Sequence, residues 1–261
     1  MCIAIVQRKG KVLTKDQMKK CWKANDDGGG FAFARDGKIK ITKCLVSFKD
    51  FWSRYRKAVK ENPDKHFLIH CRIKTSGKVN LENCHPFVVR KGLVMIHNGI
   101  IDIEMPNKER SDTFHFAQLL GSLKDSPMES TAFASIIENA IGTSNKIAFL
   151  DARGRYLILN EKGGDWKDGI WFSNQMWNVE RHDTEWWYDH DPYIWGNSHY
   201  SQPYGCRLCG AYCDDKESNL YCKECLTRRK EYDETQEELI KRNLPDVEVK
   251  NYSYPLKLSL I

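Results

Sequence analysis

Met1-Cys2-Ile3-Ala4-Ile5-Val6 opens the chain, and its reading decides the fold. A cysteine directly behind the initiator methionine is small enough to permit removal of Met1. Removal would leave a thiol and a free α-amine on one residue. The amine titrates at ~7.7–8.0 against ~8.5 for a thiol, so near neutral pH it can take the thiol's proton. One residue would then supply both nucleophile and general base, as N-terminal threonine nucleophiles do. The run Ile3-Ala4-Ile5-Val6 reads as a buried strand that fixes Cys2 in place. A second-position cysteine is by itself a weak signal, so the rest of the chain has to decide.

The sequence has 261 residues, 41% of them hydrophobic and 29% charged, which is enough for one large domain with an appendage. No apolar run approaches the ~20 residues of a membrane span, and the N-terminus lacks the apolar core of a signal peptide. The expectation is a cytoplasmic protein with no membrane partner. Five of the ten cysteines fall between Cys206 and Cys225, a cluster that points to metal in a reducing compartment. Cys21, Cys44, Cys71 and Cys84 read as small buried hydrophobes. The net charge of +6 permits contact with nucleic acid or an acidic partner without demanding either.

After the first strand, Thr14 caps a short helix to Asn25, with Met18, Cys21 and Trp22 at helical spacing. Gly28-Gly29-Gly30 allows backbone that other residues would not adopt. Strands are expected at Phe31–Ala34 and Ile39–Leu45, joined by a turn at Asp36-Gly37. A helix is expected at Asp50–Asn62, then strands at His66–Ile73 and Leu93–His97. Two helices follow, Thr113–Leu123 and Ser130–Ile141, then strands at Ile147–Asp151, Tyr156–Asn160 and Ile170–Ser173. Strands grouped around paired helices give an α+β class and exclude a regular βαβ alternation. Trp177 to Gly205 is crowded with Trp and Tyr and reads either as irregular packing or as a lid or partner surface. A charged helix is expected at Arg228–Asn243. The alternation at Val247 and Val249, and again at Leu256, Leu258 and Leu260, reads as strands with one buried face.

Polar residues sit where a strand-based site needs them in three segments: His70-Cys71-Arg72-Ile73-Lys74-Thr75-Ser76-Gly77, His97-Asn98-Gly99 and Ser111-Asp112-Thr113. With Met1-Cys2, Asp27-Gly28-Gly29-Gly30 and Asn83-Cys84-His85-Pro86, they resemble, in order and approximate spacing, the class II glutamine amidotransferases. The resemblance covers roughly residues 1 to 175. It implies a four-layer αββα N-terminal-nucleophile hydrolase fold over residues 1–195, and an enzyme that releases ammonia from L-glutamine. Cys2 would attack the side-chain amide and form a thioester, with its α-amine as base and then acid. Asn98 and the Gly99 N–H would hold the oxyanion. Arg72 would bind the α-carboxylate of glutamine and Asp112 its α-ammonium. Thr75 matches a position beside the carboxylate, and His85 one that buttresses the site. No cofactor is implied for catalysis. The sequence departs from the family at Ile3, where glycine usually follows the nucleophile, at Ser76, where histidine is usual, and at Lys74. These departures bear on glutamine affinity more than on reaction type. Taken singly, Arg72 and Asp112 also fit a structural ion pair, and His97-Asn98-Gly99 a plain turn.

Cys206-Arg-Leu-Cys209 and Cys222-Lys-Glu-Cys225 form a C-x2-C…C-x2-C pattern, in which two knuckles complete a tetrahedral structural Zn2+ site. The segment 200–230 resembles a zinc ribbon folded largely by its metal. Cys213 is left over. Residues 231–261 form the charged helix and strand tail. No ammonia-using domain fits within the ~85 residues after the glutaminase part, given domain sizes of typically 50–200 residues. A partner enzyme is therefore expected to accept the ammonia. A small protein of this kind resembles phage-encoded amidotransferase-like proteins. The alternative is a non-catalytic protein of the same fold that binds nucleic acid or protein through its zinc ribbon. Active protein is expected to lack Met1, since Cys2 has no free amine while Met1 is attached.

Overall fold

Ile3, Ala4, Ile5 and Val6 are apolar at every position, so a strand built from them needs cover on both faces. The computed structural model of the chain, which describes residues 2–45, 47–178 and the backbone of 248–250, supplies it. The strand β1 (Ile3–Gln7) is buried throughout. It lies in a seven-stranded sheet with β2 (Gly29–Arg35), β3 (Lys38–Cys44), β4 (Phe67–Cys71), β9 (Asp165–Lys167), β10 (Ile170–Phe172) and β11 (Glu248–Lys250). Their order is β11-β3-β2-β4-β1-β10-β9. A second sheet runs in chain order: β5 (Phe87–Arg90), β6 (Leu93–Asn98), β7 (Lys146–Asp151) and β8 (Tyr156–Leu159). The pairings are antiparallel except that of β11, which runs parallel to β3 at the sheet edge.

Period-two alternation then sorts the side chains into separate clusters. Ile3 and Ile5, with Phe31, Phe33, Phe67, Ile69 and Phe172, pack against α1 (Lys15–Ala24) and α2 (Phe48–Glu61). Ala4 and Val6, with Ala32, Ala34, Leu68 and Trp171, meet Val94, Ile96, Ala148 and Leu150 of the second sheet. The other face of that sheet, Leu93, Met95, Ile147 and Phe149, packs on Phe116 and Leu120 of α3 (Asp112–Ser122) and on Ala134, Ile137 and Ile141 of α4 (Thr131–Ile141). Aliphatic side chains fill the space where sheet meets sheet, with Trp171 the one aromatic of that buried cluster among the described residues, whereas aromatics concentrate where the first sheet meets its helices. The architecture is therefore mixed α and β with antiparallel sheets.

The helices start where hydroxyls can cap them. Thr14 forms a reciprocal capping box with Gln17, and Ser47, Ser111 and Ser130 each accept from a backbone N–H of the first turn. Ser47 explains why α2 begins two residues before the expected Asp50. Two short strands were not expected: β5, whose Phe87-Val88-Val89 follows a cis His85-Pro86 bond, and β9. The three glycines do not share the special backbone expected of them. Only Gly28 has positive φ; Gly29 and Gly30 lie within β2. They are needed for close approach, since a β-carbon at Gly30 would sit 2.1 Å from the His85 carbonyl oxygen.

By compactness the chain divides into one unit of residues 1–178 with 237–252 and another of 179–236 with 253–261. The cysteine knuckles, most of the aromatic-rich segment, the charged helix and the Leu256–Leu260 alternation lie outside the described residues.

Candidate active site

The antiparallel pairing of β1 with β4 sets Ile3 opposite Cys71, which brings Cys2 to the segment just after β4. There the Ile73 N–H donates to Cys2 Sγ at 3.4 Å, and the Ile73 carbonyl lies 3.3 Å from the same sulfur. The other neighbour of β1 holds the backbone: Asn174 Nδ2 donates to the Cys2 carbonyl at 2.8 Å, and Ser173 Oγ accepts from the Ala4 N–H at 2.9 Å. Burial pushes the Cys2 thiol above its ordinary value, opposed by the Ile73 N–H and the positive charge of Arg72. The sulfur is therefore a protonated thiol at neutral pH.

Arg72, only 3% exposed, carries its guanidinium into the turn that follows it. It donates to the Ser76 carbonyl at 2.9 Å and the Lys78 carbonyl at 3.1 Å. Its backbone is fixed on both sides, by Arg72 N–H to Gly28 O at 2.7 Å and Asp27 N–H to Arg72 O at 2.9 Å. Asp27 also accepts from the Lys74 N–H at 2.8 Å. The same turn reaches the start of α3. Ser76 Oγ donates to Asp112 Oδ1 at 3.0 Å, while Asp112 Oδ2 accepts from the Ile101 N–H at 2.8 Å. Asp112 is itself buried, directly behind the Ser111 cap. Guanidinium, carboxylate and thiol thus share one neighbourhood, although they come from positions 72, 112 and 2.

Asn98 ends β6, and Gly99 continues from it with φ 141°. A β-carbon at Gly99 would fall 2.1 Å from Asn145 Oδ1, so the position is closed to any side chain. Asn145 is held there by His97, whose Nε2 donates to Oδ1 at 2.8 Å while Nδ1 meets Thr113 Oγ1 at 2.8 Å. Behind the strand, His70 donates through Nε2 to the His97 carbonyl at 2.9 Å and stacks on His85 at a centroid distance of 3.7 Å. Burial pushes His70 down to about 3, and drives His85 and His97 below the usual histidine range. These imidazoles are neutral structural members and supply no charge to the site. The Asn98 side-chain oxygen is buried without a hydrogen-bond partner among the described residues. Such a group is exceptional in a folded interior.

Cys2, Arg72 and Asp112 are thus brought together, with Asn98 and Gly99 linked to them through Ile101. Thr75 is exposed and makes no hydrogen bond among the described residues. His85 lies in the imidazole stack. Cys206, Cys209, Cys222 and Cys225 lie outside the described residues, and among those described no group of three or more His, Cys, Asp or Glu could hold a metal. Three residues escaped the sequence reading, among them Asn145, which His97 holds against Gly99. Ser76 stood out only as a departure, yet it ties the Arg72 turn to Asp112. Asn174 carried no signal at all, because its position beside Cys2 follows from the β1–β10 register.

No protein-family model matches the chain, and no curated protein does. Solved structures of similar fold include the following one. It is a glutamine phosphoribosylpyrophosphate amidotransferase from B. subtilis complexed with ADP and GMP. The similarity has 17% sequence identity and a TM-score of 0.44, covering 68% of this chain and 42% of that one. This chain therefore matches less than half the length of that protein.

Proposed function

We propose that the protein is a glutamine-hydrolysing enzyme of the class II amidotransferase type, built on a four-layer αββα arrangement. The three clusters between successive helices and sheets support the layering. One observation carries the chemistry: a thiol, a buried guanidinium and a buried carboxylate meet around the Ile73–Ser76 turn. A guanidinium and a carboxylate set apart are the complement of an amino acid's α-carboxylate and α-ammonium. In this reading Arg72 and Asp112 take those two groups of L-glutamine and leave its side-chain amide facing Cys2.

The Cys2 thiol, held protonated by burial, loses its proton to its own α-amine as sulfur bonds to the amide carbon. The carbonyl electrons move onto oxygen, stabilised by the Asn98 side-chain amide and the Gly99 N–H. A donor of this kind is typically worth ~2.7–4 kcal/mol. The ammonium so formed returns its proton to the departing nitrogen, which leaves as ammonia, and the thioester remains. Water then attacks the thioester, giving glutamate and free thiol. The scheme requires a free α-amine on Cys2 and so requires removal of Met1. Ammonia then passes to an acceptor enzyme in the same cytoplasmic compartment. Cys206, Cys209, Cys222 and Cys225 hold one structural Zn2+, supported by their paired C-x2-C spacing.

Glutamate and ammonia release from glutamine tests the reading in parent, Cys2→Ala and Asp112→Ala proteins. The parent is expected to be active and both variants to lose activity; equal rates in all three would reject it. Intact mass should fall by one zinc on chelation.

A further inference from the structure

The two helix pairs differ sharply in what they show to solvent. α3 holds one charged residue, Asp112, and α4 one, Glu138. α1 instead carries Lys15, Lys19, Lys20 and Lys23 against Asp16, and α2 carries Lys49, Arg54, Arg56, Lys57 and Lys60 against Asp50 and Glu61. Each of these two helices is net +3. The excess is ordered along them. Met18, Cys21 and Trp22 turn one face of α1 to the sheet, and Phe51, Tyr55 and Val59 do the same for α2. The exposed stripes are then Lys15-Lys19-Lys23 and Lys49-Arg56-Lys60. Trp22 packs on Phe48 and Phe51 between the helices, at centroid distances of 6.3 and 5.1 Å, so the stripes lie on neighbouring helices.

Asp16 pairs with Lys20 and Glu61 with Lys57. No carboxylate among the described residues pairs with Lys15, Lys19, Lys23, Lys49 or Lys60. Along the flank of α2, a cleft of about 370 Å³ over Phe31 and Phe33 carries Arg35, Lys40, Arg54 and Lys57, with Asp50 paired to Arg54 and Glu61 to Lys57. The four-residue steps of Lys15-Lys19-Lys23 and of Arg56-Lys60 recur every ~6 Å along a helix, and the seven-residue step from Lys49 to Arg56 covers ~10 Å. The axes of two packed helices stand ~8–10 Å apart. The sugar–phosphate backbone offers a negative charge per ~3.4 Å along each strand of a duplex, and its major groove is ~12 Å wide.

We propose that the outer face of α1 and α2 is a docking surface for the phosphate backbones of double-stranded nucleic acid. The surface reads charge and carries no base-specific group, so binding is sequence-independent and salt-sensitive. It does not rest on the glutaminase reading, because neither stripe contains a residue of that site.

The test uses the full chain and a fluorescent 20-bp random-sequence DNA duplex, with affinity followed by anisotropy from 50 to 200 mM salt. Two double variants, Lys19→Glu/Lys23→Glu and Arg56→Glu/Lys60→Glu, are compared with Lys162→Glu/Lys167→Glu, which reverses two exposed lysines elsewhere. Each stripe variant is expected to weaken binding about tenfold or more and to lower the salt slope by ~2, while the control keeps the parent slope. The charge-neutralising variant Lys19→Gln/Lys23→Gln should show the same direction with a smaller change. Stripe variants indistinguishable from the control would overturn the proposal. So would stripe variants that lose binding to phosphatidylserine vesicles while keeping the parent's affinity for the duplex.

Discussion

Helices α1 and α3 begin with the same local grammar, a hydroxyl cap and an acid in the first turn: Thr14 and Asp16 on one, Ser111 and Asp112 on the other. Asp16 faces water and pairs with Lys20 one turn on, 3.2 Å away. Asp112 is buried, with one oxygen on Ser76 and the other on the Ile101 N–H. The difference lies in what packs against the helix start. α1 begins beyond the end of β1, whereas α3 begins against the Arg72 turn and the chain leaving Gly99. A cap fixes where a helix starts; its neighbours decide whether the acid there is solvent charge or part of a site.

The largest expected effect comes from setting the two acids against each other. Asp112→Asn should raise the KM for glutamine by about 10- to 100-fold, since a hydrogen bond to a charged group is worth ~1.5–3 kcal/mol. Asp16→Asn should leave KM unchanged and shift stability by less than ~0.5 kcal/mol. Steady-state kinetics on both proteins that showed equal KM values would break the contrast.

Gly99→Ala probes the chain that delivers Ile101 to Asp112. Its β-carbon would press on Asn145, and its φ of 141° disfavours any side chain. The expected cost is ~1–3 kcal/mol in urea denaturation, with a fall in kcat as well.

A third contrast is in pH. Burial holds His70 at about 3 and His85 also low, so both are neutral in the folded protein. In the unfolded chain they titrate near ~6.5. Their contribution to stability is therefore complete above that value and is lost as pH falls from ~6.5 toward 3. Urea midpoints should drop over this window, and less steeply in His70→Gln. A pH-independent midpoint there would remove the imidazole stack as the cause.

The smallest effect sharpens the comparison of caps. Thr14→Ala should cost ~1 kcal/mol and lower Tm by ~2–4 °C without touching activity. Ser111→Ala should cost a similar amount and also reduce activity, because it loosens the start of α3 beside Asp112.

Much of the fold was legible in the sequence where a local rule applies. Thr14 caps as expected, and Asp36-Gly37 turns the β2–β3 hairpin with both residues at positive φ. The expected apolar strands are present, displaced by a residue or two at their ends. β5 was missed because Phe87-Val88-Val89 is short and follows a proline, and β9 because Asp165-Trp166-Lys167 has no apolar period. Within the site, Cys2, Arg72, Asn98, Gly99 and Asp112 could be singled out by residue type and order. Ser76, Asn174 and Asn145 could not. Each acts on a partner 36, 172 or 48 positions away, a separation no local pattern encodes.

The sequence by itself determined the helices and the longer apolar strands, because period, capping hydroxyls and turn residues act over a few positions; the short strands β5 and β9 lay beyond it. It also determined that Cys2 stands at the head of a strand covered on both faces. Only the tertiary structure decided that Arg72 aims at the carbonyls of its own turn, that Asp112 is tied to Ser76, and that Gly99 admits no side chain. Those outcomes depend on strand register and on the packing of one sheet against the other. Both arise from the burial of side chains far apart in sequence, not from any one segment.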